Sequence, residues 1–94
     1  MTEAQLQDAI IAMAKLFGWR VYHTHDSRHS ASGFPDLVLV RGRELIFAEL
    51  KSEAGRLSPE QDAWLAALQD TRRVTVAVWL PHHWTSGEIE RALR

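Results

Sequence analysis

Ninety-four residues, 46% of them hydrophobic and 24% charged, fit one globular domain over residues 1–94 and exclude a disordered chain. The absence of cysteine excludes a disulfide framework, a thiolate-bound zinc and a thiol nucleophile, and the apolar runs are too short to span a bilayer. A net charge of −1, from 11 basic and 12 acidic residues, argues against a protein that merely coats nucleic acid, yet nine of the cations are arginines, the residue suited to a bidentate grip on phosphate.

The first residues, MTEAQLQDAI, hold no basic stretch followed by an apolar one, so no secretory leader is expected and the expected location is the cytoplasm. Thr2 and Gln5 form a capping-box pattern. Leu6, Ile10, Met13 and Phe17 follow at helical spacing, which predicts a helix over 3–17 with Gly18 as its stop. Residues 19–24 are aromatic and β-branched enough for a strand, and the small polar run 25–33 reads as a loop. Residues 36–40 and 44–51 read as two strands of a hairpin turning at Arg41-Gly42-Arg43.

A connection over 52–57 leads to Ser58, Pro59 and Gln61, a strong helix start that predicts a helix to about residue 69. Trp64, Leu65 and Leu68 lay that helix on the sheet. Residues 74–80 read as a strand ended by Pro81, and Thr85 with Glu88 predicts a last short helix through Leu93. The order α-β-β-β-α-β-α, with a hairpin followed by a helical crossover, predicts an α/β fold with a mixed sheet flanked by helices.

The chemistry gathers between Gly33 and Lys51. Residues two apart on a strand share a face, so Glu49 and Lys51 are neighbours. With the hairpin turning near Gly42, Asp36 and Glu49 lie at similar distances from the turn, and the three side chains converge at one end. Two carboxylates suit a hard divalent cation that keeps several waters. Such an ion neutralises phosphate charge and acidifies a bound water, which is the chemistry of phosphodiester hydrolysis.

Gly33-Phe34-Pro35-Asp36 followed by Glu49-Leu50-Lys51 resembles the PD-(D/E)xK nuclease superfamily. With the early Glu3 and the run Gly55-Arg56-Leu57-Ser58-Pro59-Glu60-Gln61, the chain is similar to the VRR-NUC branch from about Glu3 to Val78. The resemblance implies a restriction-endonuclease-like core and a Mg²⁺- or Mn²⁺-dependent endonuclease that leaves a 5′-phosphate. It implies that Asp36, Glu49 and the backbone carbonyl of Leu50 bind the metal, that Lys51 is catalytic, and that Glu3 acts through a water of the metal. Gln61 matches the family's glutamine near the site. Short stand-alone relatives of this type are similar to proteins of bacteriophages and bacteria. The implied substrate is DNA, branched as in a Holliday junction, nicked or flapped, with no organic cofactor and no membrane partner. A homodimer is expected, since two strands need two sites; Trp79 and Trp84 are candidates for its interface, with the core as the other place for Trp79.

Each residue also has a plainer reading. Asp36 can cap a turn after Pro35, and Glu49 with Lys51 can be a solvated pair on an exposed sheet face. Glu3 favours the helix dipole in a first turn, and Gln7 on a neighbouring face competes for its role. Glu3 does continue the apolar stripe of its helix, and Gln61 continues that of the second. Gln61 also serves as half of a capping box. His23, His25 and His29 can be zinc ligands or loop and DNA-facing histidines, while His82 and His83 read as surface residues. Arg20, Arg28, Arg41, Arg43 and His25 are candidate phosphate contacts or an ordinary solvated surface. The rival function is a non-catalytic nucleic-acid-binding or assembly module that keeps the fold; a hydrolase acting on RNA is a third.

Overall fold

The computed structural model describes residues 1–24 and 31–94, leaving His25, Arg28 and His29, and whatever they do, outside the described residues. The elements are α1 (Glu3–Leu16), β1 (Arg20–His23), β2 (Leu37–Arg41), β3 (Glu44–Leu50), α2 (Pro59–Asp70), β4 (Thr75–Trp79), α3 (Pro81–Thr85) and α4 (Glu88–Leu93). No described helix is long and apolar enough to cross a membrane.

Both long helices begin as their sequences dictate. Gln5 N–H donates to Thr2 Oγ1 (3.1 Å) and Thr2 N–H to Gln5 Oε1 (2.8 Å), a complete capping box. Ser58 and Gln61 repeat the exchange at α2 (2.9 and 3.1 Å), with Pro59 at its first position. The stripe of α1 buries Leu6, Ile10 and Ala14 completely.

The four strands lie in the order β1-β2-β3-β4. β1, β2 and β3 are antiparallel neighbours; β4 returns through α2 and pairs parallel to β3. The mixed sheet with flanking helices predicted from the element order is therefore the observed fold. One face carries Leu37, Leu39, Ile46, Ala48, Leu50 and Trp79 into a core completed by α1, α4 and Trp19. On the other face Phe34 meets Phe47 and Trp64 edge-on, at 6.0 and 5.1 Å between ring centroids, and this aromatic trio seats α2.

The end of the chain differs from its prediction. Pro81 does more than stop β4: it opens α3, where His83 Nδ1 accepts the Leu80 N–H (2.9 Å) in the place of a hydroxyl cap. Thr85 closes α3 and does not cap a following helix. Gly87, left-handed at φ 83°, breaks the path and leads into α4. Trp79 is core, only 4% exposed, and Trp84 packs against that core, so Trp79 does not offer a surface for a dimer interface.

Arg41 and Arg43 stand away from the carboxylates. They sit at the β2–β3 turn, and Arg20 pairs with Val40 beside it, at the end of the sheet opposite the Asp36 end. Arg41 is a structural clamp. Its guanidinium donates to Phe17 O (3.0 Å), Leu93 O (2.9 Å) and Glu44 Oε1, and lies 4.4 Å over the Trp19 ring. Trp19 Nε1–H donates to the same Leu93 carbonyl (2.9 Å). Arg41→Ala is expected to cost about 2–3 kcal/mol, since carbonyls beneath it lose a charged donor. Urea unfolding checks the loss, and DNA affinity at fixed salt is expected to stay within about twofold of wild type.

Candidate active site

The site is built by the register of β2 and β3. Leu37 pairs with Ala48, so the next step sets Asp36 opposite Glu49 and the one after sets Pro35 opposite Leu50. Thr24 N–H donates to the Asp36 carbonyl (3.1 Å), which shows that the Asp36 backbone faces β1. Asp36 and Glu49 are therefore a pair without hydrogen bonds between their backbones, the kind whose side chains stand closest. Both project on the α2 face, and Lys51, two residues on, projects beside them.

The backbone opposite is equally determined. Lys51 N–H donates to the Trp79 carbonyl (3.0 Å), so the backbone groups of Leu50, one residue back, point the other way, toward β2. There they meet Pro35, which has no N–H. The Leu50 N–H donates instead to Asp36 Oδ2 (2.9 Å), and the Leu50 carbonyl faces a residue that has no donor for it. Proline before the aspartate thus offers that oxygen no N–H.

Glu49 is 2% exposed, the one buried charged residue among those described. Its Oε2 accepts from Gln61 Nε2 (2.9 Å) and lies 3.7 Å from Lys51 Nζ. Its Oε1 is buried with no hydrogen-bond partner among the described residues. Burial, and after it the Asp36 carboxylate alongside, push the Glu49 carboxyl up to about 8; Lys51 opposes the shift and Glu3 adds to it. Glu3, in the first turn of α1, is thereby within electrostatic reach of Glu49. The Gln7 side chain makes no hydrogen bond among the described residues.

Gln61 fills both of its predicted roles at once. Its Oε1 accepts the Ser58 N–H in the capping box, and that bond orients Nε2 toward Glu49. The helix cap therefore aims the amide at the site. The N-terminus of α2 is held there by Gly33, whose φ is +90° and whose missing Cβ would stand 2.4 Å from the Glu60 carbonyl carbon. Thr24, Ser32, Asp36, Ser58 and Gln61 line a crevice of about 310 Å³ in front of the carboxylates. Ser58 is legible only as a helix cap, and the Thr24 and Ser32 hydroxyls carry no sequence signal that separates a site from a turn.

The structure brings together Asp36, Glu49, Lys51 and Gln61, with Glu3 near them. Arg20, Arg41 and Arg43 stand at the other end of the sheet, and Arg28 and His25 lie outside the described residues. No group of three or more His, Asp or Glu among the described residues has metal-holding geometry, so His23 is not part of such a cluster there. Two carboxylates and a buried Oε1 with no partner among the described residues do suit a hard divalent cation that retains water.

The raised carboxyl has a consequence for stability. In the unfolded chain Glu49 titrates near 4.5, and in the folded chain near 8, so between these values the folded state holds more protons. Metal-free protein is expected to be most stable below about pH 4.5, as far as this group is concerned, and to lose that contribution as pH rises through 8. Added divalent cation is expected to raise the melting temperature more at pH 8 than at pH 6, because binding must displace the proton. Thermal melts at the two values check both signs.

A hairpin and a parallel crossover strand that set a carboxylate pair and a lysine at one sheet end define a nuclease domain of the PD-(D/E)xK class. The chain belongs to the VRR-NUC domain family, whose sequence profile matches residues 2–79. A solved VRR_NUC domain protein is similar in fold, with a TM-score of 0.66 at 18% identity over 85% of this chain and 78% of that one. The Archaeoglobus fulgidus Hjc Holliday junction resolvase shares the fold with a TM-score of 0.53 at 24% identity, over 80% of this chain and 64% of the resolvase. No curated protein sequence matches the chain.

Proposed function

We propose that the protein is a Mg²⁺- or Mn²⁺-dependent endonuclease that hydrolyses phosphodiester bonds in branched or nicked DNA and works as a homodimer. The observation that carries the reading is the meeting of Asp36, Glu49, Lys51 and Gln61 around a buried carboxylate oxygen that has no partner among the described residues. A carboxylate placed only to pair with Lys51 would ordinarily have both oxygens satisfied. A module that only bound DNA would gain nothing from acids beside its phosphates.

Asp36 and Glu49 would hold the cation with the Leu50 carbonyl, and Glu3 would act through a water. When bound, the cation supplies Lewis-acid stabilisation of the phosphate and a water acidic enough to attack at neutral pH. Gln61 fixes one Glu49 oxygen, and the other would be available to the cation. Lys51 places its ammonium by that carboxylate, where it orients the attacking water or stabilises negative charge on the phosphate. Likeness to a fold used by a Holliday junction resolvase supports branched DNA as the substrate. A symmetric cut of such a junction requires two sites, which a two-fold dimer supplies.

The test is cleavage of a four-way junction, a flap, a nicked duplex and a linear duplex, with an RNA duplex alongside, in Mg²⁺, Mn²⁺ and EDTA. Metal-dependent cutting of the branched or nicked DNA is expected, with a 5′-phosphate left at the cut. Binding without cutting in either metal would point to the non-catalytic module instead, and preferential cutting of RNA would overturn the choice of substrate.

Pro35 gives a separate check of the metal site. Pro35→Ala returns an N–H opposite the Leu50 carbonyl, and that donor competes for the oxygen. Affinity for Mn²⁺ is expected to fall about tenfold, the effect of one hydrogen bond of roughly 1.4 kcal/mol. Titration calorimetry measures it, and unchanged affinity would remove Leu50 from the ligand set.

A further inference from the structure

At the sheet end away from the carboxylates lies the larger cavity, about 510 Å³. Arg43, from the β2–β3 turn, and Arg72 and Arg73, just beyond α2, line it with Thr75 at the start of β4. Three arginines from two separate segments thus share one concavity in a chain whose net charge is −1. None of the three is ion-paired among the described residues. Glu44, the acid in the lining, is already engaged by Arg41 at 2.9 Å.

Arg72 adds an independent sign. It follows the α2 C-cap Thr71 with φ 57°, the left-handed position where helices ordinarily place glycine. A side chain there is strained. The helix dipole favours a cation near this end, but Arg73 already supplies one, and the dipole does not account for Arg43 on the hairpin turn. Strain of this kind persists where the side chain has a use.

Guanidinium groups that line one cavity favour an anion among them. We infer that this cavity is a second phosphate site, which takes backbone phosphates of the DNA about five base pairs from the cut. The ligand named here rests on the nuclease reading above. Arginine forks match phosphate oxygens in pairs, and the Thr75 hydroxyl adds a donor. Five strand steps of about 3.3 Å set Glu44 roughly 17 Å from Glu49, about the rise of five base pairs, so an arm longer than that reaches both ends of the sheet and a shorter one does not. The second site therefore lengthens the grip on the arm being cut and reads no base.

The experiment measures binding in EDTA by fluorescence anisotropy, on four-way junctions with arms of about 5 or about 15 base pairs, across a range of salt. Arg43→Ala/Arg73→Ala is compared with Lys15→Ala/Arg91→Ala, which removes the same charge elsewhere. For long arms the slope of log K against log salt is expected to flatten by roughly 2 in the first variant and not in the control, since each lost phosphate contact is worth about 0.9. For short arms all three proteins are expected to bind alike. Arg72→Gly is expected to weaken long-arm binding without lowering the melting temperature, a split that a purely structural role does not produce. Equal slopes for wild type and the arginine variant, or an equal loss in the charge control or on short arms, overturn the inference. Cleavage of the short-armed junction in Mg²⁺ is recorded in parallel. Its absence from wild type counts against the nuclease reading, while the arm-length comparison still decides the phosphate site.

Discussion

Asp36→Ala is expected to abolish divalent-cation binding and to cut the cleavage rate by at least about a thousandfold, the worth of roughly 4 kcal/mol of metal-derived transition-state stabilisation. The effect is large because Asp36 does two things. Its carboxylate supplies one of the two charges that face the cation, and its Oδ2 accepts the Leu50 N–H at 2.9 Å. Removing it frees that N–H and leaves Glu49 as the single nearby acid of the sheet. Asp36→Asn separates the two contributions, since an amide oxygen still accepts from Leu50 while the charge is gone. The asparagine variant is expected to fold like wild type, to give no heat with Mn²⁺ in calorimetry, and to lose cleavage as completely as the alanine variant. An asparagine variant that binds Mn²⁺ as tightly as wild type would contradict the ligand assignment. Loss of Asp36 also withdraws an upward influence on the Glu49 carboxyl, so its titration moves toward the ordinary carboxylate range.

Gly33→Ala is expected to carry the largest cost in stability, about 3–5 kcal/mol, and to lose activity with it. Two penalties add. The residue sits at φ +90°, where a Cβ is strained, and that Cβ would fall 2.4 to 2.7 Å from the Glu60 and Gln61 backbone. Backbone at a helix start, held by its capping box and by Trp64, cannot give way as a flexible side chain does. The helix must therefore move, and Gln61 moves with it away from Glu49. Gly42→Ala is the companion measurement: φ is +58° but nothing lies within 4 Å, so only the conformational cost of about 1 kcal/mol is expected. Urea unfolding of both variants tests the contrast. Equal losses would mean that Gly33 matters only for its own dihedral angles and not for seating α2.

Much of this was legible because the deciding signals are local. Thr2 with Gln5, and Ser58 with Pro59 and Gln61, specify helix starts through bonds made within four residues, and both boxes form as read. The alternation around Gly42 set the hairpin register, and the register alone set Asp36 against Glu49. The plain readings were not wrong so much as partial: Gln61 is a capping residue and a site residue in the same conformation.

The misreadings share a cause, which is that long-range partners decided them. Arg41 has the composition of a phosphate contact. Its real partners, Phe17, Trp19 and Leu93, are remote in sequence and come together only when α4 docks. The Thr85 and Glu88 pair had the spacing of a capping box, but Gly87 between them turns left-handed and restarts the helix. His83 caps α3 through a ring nitrogen, a use for which histidine has no distinctive spacing. The Pro35 contribution also needed the structure: its missing N–H matters only because Leu50 stands opposite.

The central claim is that Lys51 acts on the reaction at a cation held by its neighbours, and one measurement addresses it most directly. Single-turnover cleavage of a four-way junction in Mg²⁺ is followed for wild type and Lys51→Ala, with Mn²⁺ affinity of both measured by calorimetry. The account predicts that Lys51→Ala binds Mn²⁺ within a few-fold of wild type yet cleaves at least about a hundredfold more slowly, the scale of a lost charge stabiliser. Cleavage by Lys51→Ala at the wild-type rate, with metal binding intact, would contradict it.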